Sequence, residues 1–384
     1  MQITQMFSDF IAGDAISSIL EEIHRINTKE GWQDRIITAT ADSDMQRDYA
    51  MTLSPAATTS KLNMLLSFIK TKNKAYYLQK YREKKKSDTT KAQAYIENAD
   101  IRLWHMGIWY SMMEKMQKGD FLFFYGLNDP SLSSSPEAII TSKKCLADTK
   151  GMGLNYVAES RQVVNELLQA GIEKDISLLP LFHTYNLPYI KHSPAKLSLL
   201  TWGRYAVNKG IPEISEMCAE NSIPLTTFGE SERYEEFREE YQKAKHYAQG
   251  SDSIKILPKL KDTDKDAMLL QSFIYISNSR NEGFGMPLVE AYAHSMPAIV
   301  RRGTAQDELM IEGKTGYLYD DIAEVPHLLK KVKGDYSRMS RAAWELSRNY
   351  TREKYAKRYK AILKEARTSK QTSDERVYSA TLSL

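Results

Sequence analysis

Two carboxylates eight positions apart, Glu282 and Glu290, frame a glycine-bracketed segment, Ser279-Arg280-Asn281-Glu282-Gly283-Phe284-Gly285-Met286-Pro287-Leu288-Val289-Glu290-Ala291. Pro287 stands where a helix would begin, a place at which a missing N–H has no consequence. The loop therefore presents free backbone N–H groups at a helix N-terminus, a ready site for an anion. Gly283 and Gly285 let the backbone approach a ligand that a side chain would block. Acids beside such a site repel a diphosphate unless they face neutral hydroxyls, so a ligand carrying both phosphate and sugar accounts for the pairing. The plainer alternative is a helix-dipole acid, Glu290, behind two turn glycines.

A second segment, Leu199-Leu200-Thr201-Trp202-Gly203-Arg204-Tyr205-Ala206-Val207-Asn208-Lys209-Gly210, is a strand end followed by a glycine turn carrying Arg204 and Lys209. Two cations on one loop can neutralise a diphosphate, Arg as a fork and Lys as a point charge. A third, Gly13-Asp14-Ala15-Ile16, is a glycine turn between a strand and a helix, and Gly-Asp there is also an ordinary N-cap. Asp42-Ser43-Asp44 and Asp262-Thr263-Asp264 have the Asp-x-Asp form that holds a metal-bound diphosphate. Chance supplies that pattern in a chain with 49 acids, and the second lies in a Lys-rich turn, so no metal or other cofactor is expected. No hydrolase triad signature, Walker loop or Gly-x-Gly-x-x-Gly follows a strand.

The elements that must position these residues alternate as short apolar strands and amphipathic helices, the pattern of parallel α/β sheets. Strands are expected at residues 1–7, 35–39, 101–104, 121–125, 138–140 and 154–158, with helices at 15–27 and 162–170. A proline-bracketed stretch, 180–188, reads as a linker. The pattern then restarts with strands at 197–201, 225–228, 254–257 and 273–277, a helix at 211–220 and one continuous helix over 336–366. At 384 residues, with 42% apolar and 27% charged residues, the chain fits two domains, and no uncharged apolar run reaches the length of a membrane span. The N-terminus lacks the basic and apolar regions of a secretory signal, so a cytoplasmic protein is expected. Cys145 and Cys218 are too few for a disulfide framework or a cysteine-based zinc site. A net charge of +4 does not point to nucleic acid. Residues 61–90 concentrate nine basic residues against Glu83 and Asp88 among aromatic and aliphatic side chains, suited to peripheral contact with an anionic membrane or to a solvated helix and loop.

With these motifs together, the chain resembles the GT-B glycosyltransferases, specifically the retaining Glu-x7-Glu family called family 4 or group 1. The likeness runs on through Ala293, Pro297 and Glu308 to Gly313-Lys314-Thr315-Gly316, and Gly203-Arg204 with Lys209-Gly210 matches the family's Gly-Arg and Lys-Gly signature. The resemblance implies two Rossmann-like domains facing across a cleft: residues 1–190 for the acceptor and 191–350 for the donor, with a C-terminal helix, about 351–384, crossing back to the first. It implies transfer of a hexosyl unit from a nucleotide diphosphate sugar, GDP-mannose favoured and UDP-glucose next, to a hydroxyl of a glycan or glycoconjugate, without a metal. In that scheme Arg204, Lys209 and the N–H groups of Gly285, Met286 and Leu288 stabilise the leaving diphosphate, Glu282 holds sugar hydroxyls and Glu290 the ribose. Gly13 and Asp14 close over the donor, and the base sits between Phe228-Gly229-Glu230 and Pro258-Lys259-Leu260. The family's N-domain histidine has no counterpart in Phe123-Phe124-Tyr125-Gly126-Leu127-Asn128-Asp129-Pro130, which leaves Asn128, Asp129, Tyr125 or His105 to take that part. An epimerase on the same fold and a non-catalytic glycan-binding scaffold are the alternatives.

Overall fold

In the computed structural model the described residues are 1–10, 15–41, 48–52, 92–105, 115–126, 146–192, 198–271 and 273–371. Gly13, Asp14, Asp42-Ser43-Asp44, the basic segment 61–90, Asn128, Asp129, the expected strand 138–140 and Cys145 lie outside them.

The first seven strands are β1 (Gln2–Phe10), β2 (Gln33–Ala41), β3 (Ala50–Thr52), β4 (Ile101–His105), β5 (Phe121–Phe124), β6 (Asn155–Ala158) and β7 (Ile176–Leu178). They form one sheet in the order β3-β2-β1-β4-β5-β6-β7, with every pair parallel. Helices α1 (Ala15–Lys29) and α2 (Arg161–Gln169) pack on it. The Phe-Leu-Phe-Phe of β5 is buried along its whole length, as expected of a parallel strand with side chains packed on both faces.

The second sheet comprises β8 (Ser198–Trp202), β9 (Leu225–Gly229), β10 (Ile254–Pro258), β11 (Phe273–Ser277), β12 (Ala298–Arg301) and β13 (Gly316–Tyr319). Their order is β10-β9-β8-β11-β12-β13, again all parallel. Its helices are α3 (Ile211–Glu220), α4 (Glu235–Tyr247), α5 (Asp262–Leu269), α6 (Met286–Ala293), α7 (Val325–Gly334) and α8 (Tyr336–Ser347). Asp262-Thr263-Asp264, expected in a turn, opens α5 instead. In each sheet the strand order reverses between the first and fourth strands, and such reversals open a crevice at the carboxyl ends of the strands. In the second sheet those ends are Trp202 and Ser277, the residues from which both motif loops depart.

The helix expected over 336–366 is two, α8 and α9 (Arg352–Gln371), broken at 348–351. There the linker pairs with the chain: His183 N–H donates to the Tyr350 carbonyl at 2.8 Å, and His183 bridges Thr351. The break redirects α9 onto the first lobe. Tyr355 packs on Phe182 with ring centroids 4.7 Å apart, and the Tyr359 hydroxyl donates to Asn27 Oδ1 at 3.2 Å. Lys360 pairs with Glu30 at 2.7 Å. One apolar core, including Ile23, Phe182, Phe228, Leu288, Tyr355 and Tyr359, consequently runs through both lobes. Among the described residues no helix is long and apolar enough to cross a membrane.

Candidate functional site

The two motif loops are laced together beyond the ends of β8 and β11. Lys209 forms an ion pair with Glu282. Asn208 donates to the Asn281 carbonyl at 3.2 Å, and the Arg280 amide donates to the Asn208 carbonyl at 2.8 Å. Both members of the Lys209–Glu282 pair are mostly shielded, at 16% and 14% side-chain exposure, so their attraction is less screened than that of a surface pair. Arg204, on the same stretch, is exposed and makes no hydrogen bond or ion pair among the described residues. It is thus a free cation at the rim, whereas Lys209 already has a partner.

Gly285 caps α6 in the left-handed region, φ 107°, and a side chain there would meet Gln306 at 2.6 Å. Pro287 sits in the first turn of α6. The Leu288 N–H is not a free donor, because it bonds the Gly285 carbonyl at 2.9 Å and closes that turn. Without a Pro287 N–H, the amides of Gly285 and Met286 remain for an anion. Gly283 also has a steric reason to be glycine: a Cβ would lie 2.3 Å from Glu159 Oε1 and 2.6 Å from the Tyr125 carbonyl, both on the first lobe. The Phe284 ring is buried, edge-on to Tyr350 at 5.8 Å, so its side chain anchors the loop in the core.

Glu290 points back toward β8. Its Oε2 accepts from the Trp202 indole N–H at 3.0 Å, and Lys265 of α5 reaches both carboxylate oxygens at 3.1 and 3.0 Å. Trp202 stacks nearly parallel on Phe228, 6.0 Å between centroids. Phe228 is thus buried, its ring against Trp202 rather than toward solvent. Lys259 is exposed and Leu260 half-buried on the loop after β10.

On the first lobe, His105 ends β4, wholly buried, with Nδ1 bonded to the Tyr125 hydroxyl at 2.6 Å and its ring stacked on Phe123. Burial pulls its pKa down to about 3, and Nε2 has no partner among the described residues. Three further residues also reach the cleft or its margin. Glu159 follows β6 and touches Gly283. Glu308, in the short helical turn Ala305–Leu309, accepts from the Arg161 and Gln162 amides at 2.9 and 2.7 Å, capping α2 from the opposite lobe. Lys265 neutralises Glu290. Glu308 had been singled out as part of the sequence likeness, but its partner had not. No spacing rule could join residues about 150 positions apart.

Residues 190–335 match the family described as glycosyl transferases group 1. The matched stretch spans the second sheet and its helices as far as α7. Over 87 residues the chain is 31% identical to the probable sucrose-phosphate synthase of Thermosipho melanesiensis, a stretch covering 22% of this chain and 21% of that one. The matched stretch thus spans about a fifth of that relative. Among solved structures, sucrose-phosphate synthase from Thermosynechococcus elongatus superposes with a TM-score of 0.74 at 14% identity, covering 96% of this chain and 100% of that one. HepE of Anabaena in complex with UDP-glucose gives 0.67 at 13%, covering 95% and 100%. The Rickettsia africae glycosyltransferase gives 0.66 at 16%, covering 97% and 99%. The fold is GT-B, two parallel α/β lobes of Rossmann type.

Proposed function

We propose that the chain transfers a hexosyl unit from a nucleoside diphosphate sugar to a hydroxyl acceptor, retaining the anomeric configuration and using no metal. The observation that carries this reading is the joining of Lys209, Glu282 and the α6 N-terminus at the strand-order reversal of the second sheet. There a diphosphate meets the Gly285 and Met286 amides and the exposed Arg204, and Lys209 can turn from Glu282 to the phosphate. These groups are in place before charge develops on the leaving group, the form of stabilisation that contributes most in such sites. Glu282 then faces the sugar hydroxyls, and Glu290, held by Trp202 and Lys265, faces the ribose.

In the transfer itself, the acceptor oxygen attacks the anomeric carbon on the face from which the diphosphate departs. The carbon–oxygen bond to phosphate breaks, the electron pair leaves with the phosphate, and the acceptor proton passes to a departing phosphate oxygen. No protein nucleophile is required. UDP-glucose is the first donor to test, because the similar HepE structure holds it, with GDP-mannose beside it.

The test is thermal shift and donor hydrolysis with UDP-glucose, UDP-galactose, UDP-N-acetylglucosamine and GDP-mannose, with and without EDTA, on wild type and Arg204→Ala. One donor at about 100 times its Kd should stabilise the wild type by about 2.7 kcal/mol. The shift should ignore EDTA and shrink in the variant. Stabilisation by no donor sinks the reading, and loss of the response in EDTA sinks its metal-free part.

A further inference from the structure

Glu159 is 7% exposed, yet among the described residues no donor or cation reaches its carboxyl. Buried carboxylates are ordinarily paired or hydrogen-bonded, and an exception calls for a reason. Its surroundings supply repulsion instead, with Glu282 across the cleft and Glu166 on α2 both acting on it electrostatically. Two other buried polar atoms also lack partners among the described residues. Tyr355 Oη, on α9, lies within electrostatic reach of Glu22 first and then of Glu159, and Gln306 Oε1 belongs to the side chain that packs against Gly285. Unsatisfied polar atoms thus gather around the Glu282–Gly285 loop from β6, α9 and the 305–309 turn. The absent side chain of Gly283 leaves the space in which the Glu159 carboxyl sits. A polyhydroxylated ligand would satisfy such a set, since each hydroxyl both donates and accepts.

We propose that Glu159 is a substrate contact in the cleft, exchanging hydrogen bonds with the hydroxyls of the sugar that Glu282 faces. This rests on the glycosyltransferase reading above. Burial first, then the nearby Glu282 and Glu166, raise its pKa well above the ordinary carboxylate range, which favours the protonated form. It can then donate, whereas the Lys209-paired Glu282 can only accept. The two carboxyl groups together read a pair of sugar hydroxyls of opposite hydrogen-bonding sense.

The experiment measures, at pH 7, the Kd of UDP and the kcat/KM for UDP-glucose hydrolysis, with GDP and GDP-mannose as a parallel pair, on wild type, Glu159→Ala and Glu159→Gln. Glutamine keeps a neutral group that donates and accepts. The expected result for the pair that wild type uses is nucleotide affinity within twofold in both variants, kcat/KM at least tenfold lower in Glu159→Ala, and recovery to within threefold of wild type in Glu159→Gln. Nucleotide and nucleotide sugar weakened together, or neither changed, or no recovery with glutamine, would overturn the Glu159 contact and leave the transferase reading standing. Wild type that binds neither nucleotide and hydrolyses neither sugar overturns the transferase reading, and this inference with it.

Discussion

At Gly283 the two lobes are in direct contact, so a single methyl group there is a sharp probe. In Gly283→Ala the new Cβ must displace the Glu159 carboxyl and the Tyr125 backbone, and the backbone has no rotamer in which to escape. Overpacking of this kind disturbs a contact by about 1–3 kcal/mol. On the transferase reading proposed above, kcat/KM for the nucleotide sugar should fall by roughly 5- to 150-fold, while nucleotide affinity changes little. Equal loss of both would show that the second lobe itself had been disturbed. Titration provides a second probe. Desolvation lowers the pKa of His105, His183, His192 and His294, which are therefore neutral in the fold. The unfolded chain protonates its histidines below about pH 6.5, so their contribution is complete above that value and is lost as the pH falls toward the folded pKa, about 3 for His105. The urea midpoint should drop between pH 6.5 and 5, less steeply in His105→Gln. Glu159 has the opposite sign. Its raised pKa makes the fold less stable as pH rises above the unfolded carboxyl value, so Glu159→Gln should melt higher than wild type at pH 8.

Helix α2 illustrates how an element can be finished by another lobe. Its first turn already has Ser160 as N-cap, the side chain accepting from the Val163 amide. The Arg161 and Gln162 amides are completed by Glu308 instead, a negative group at the positive end of the helix. The same 305–309 turn is tied to the Glu282 loop, since the Ala305 amide donates to the Glu282 carbonyl at 3.2 Å. Movement of the Glu282 loop is thereby coupled to a contact with the first lobe. Removing the cap in Glu308→Ala should weaken lobe docking by about 1 kcal/mol and enlarge the radius of gyration in small-angle scattering, and high salt, which screens the same contact in wild type, should narrow the difference. An unchanged radius would mean that the cap does not hold the lobes. The helical pattern over 336–366 was legible in the sequence; its interruption was not. The break depends on Tyr350 and Thr351 meeting His183, a residue of the linker far away in the chain.

At the scale of the whole molecule, α9 is the strap that returns from the second lobe to the first. Tyr355 and Tyr359 are each 1% exposed and belong to the core shared by both lobes. Tyr355→Ala should cost about 3–5 kcal/mol, read as a fall in the denaturation midpoint, whereas Tyr359→Phe should cost only the hydrogen bond to Asn27, about 1 kcal/mol. Similar losses for the two would mean that α9 docks through its polar contacts. The alternation of strands and helices, the βα rhythm of both lobes and the loop from Ser279 to Ala291 were all readable along the chain. Each rests on interactions among residues a few positions apart: backbone propensity, helix starts, glycine turns and apolar runs of strand length. The partners of those motif residues were not readable. Trp202 and Lys265 on Glu290, Glu159 against Gly283, and Glu308 on α2 join segments separated by 25 to 147 positions. Such pairs leave no periodicity or spacing in the sequence, because what brings them together is the parallel stacking of strands and the docking of one lobe on the other, and these fix distance only once both sheets have formed.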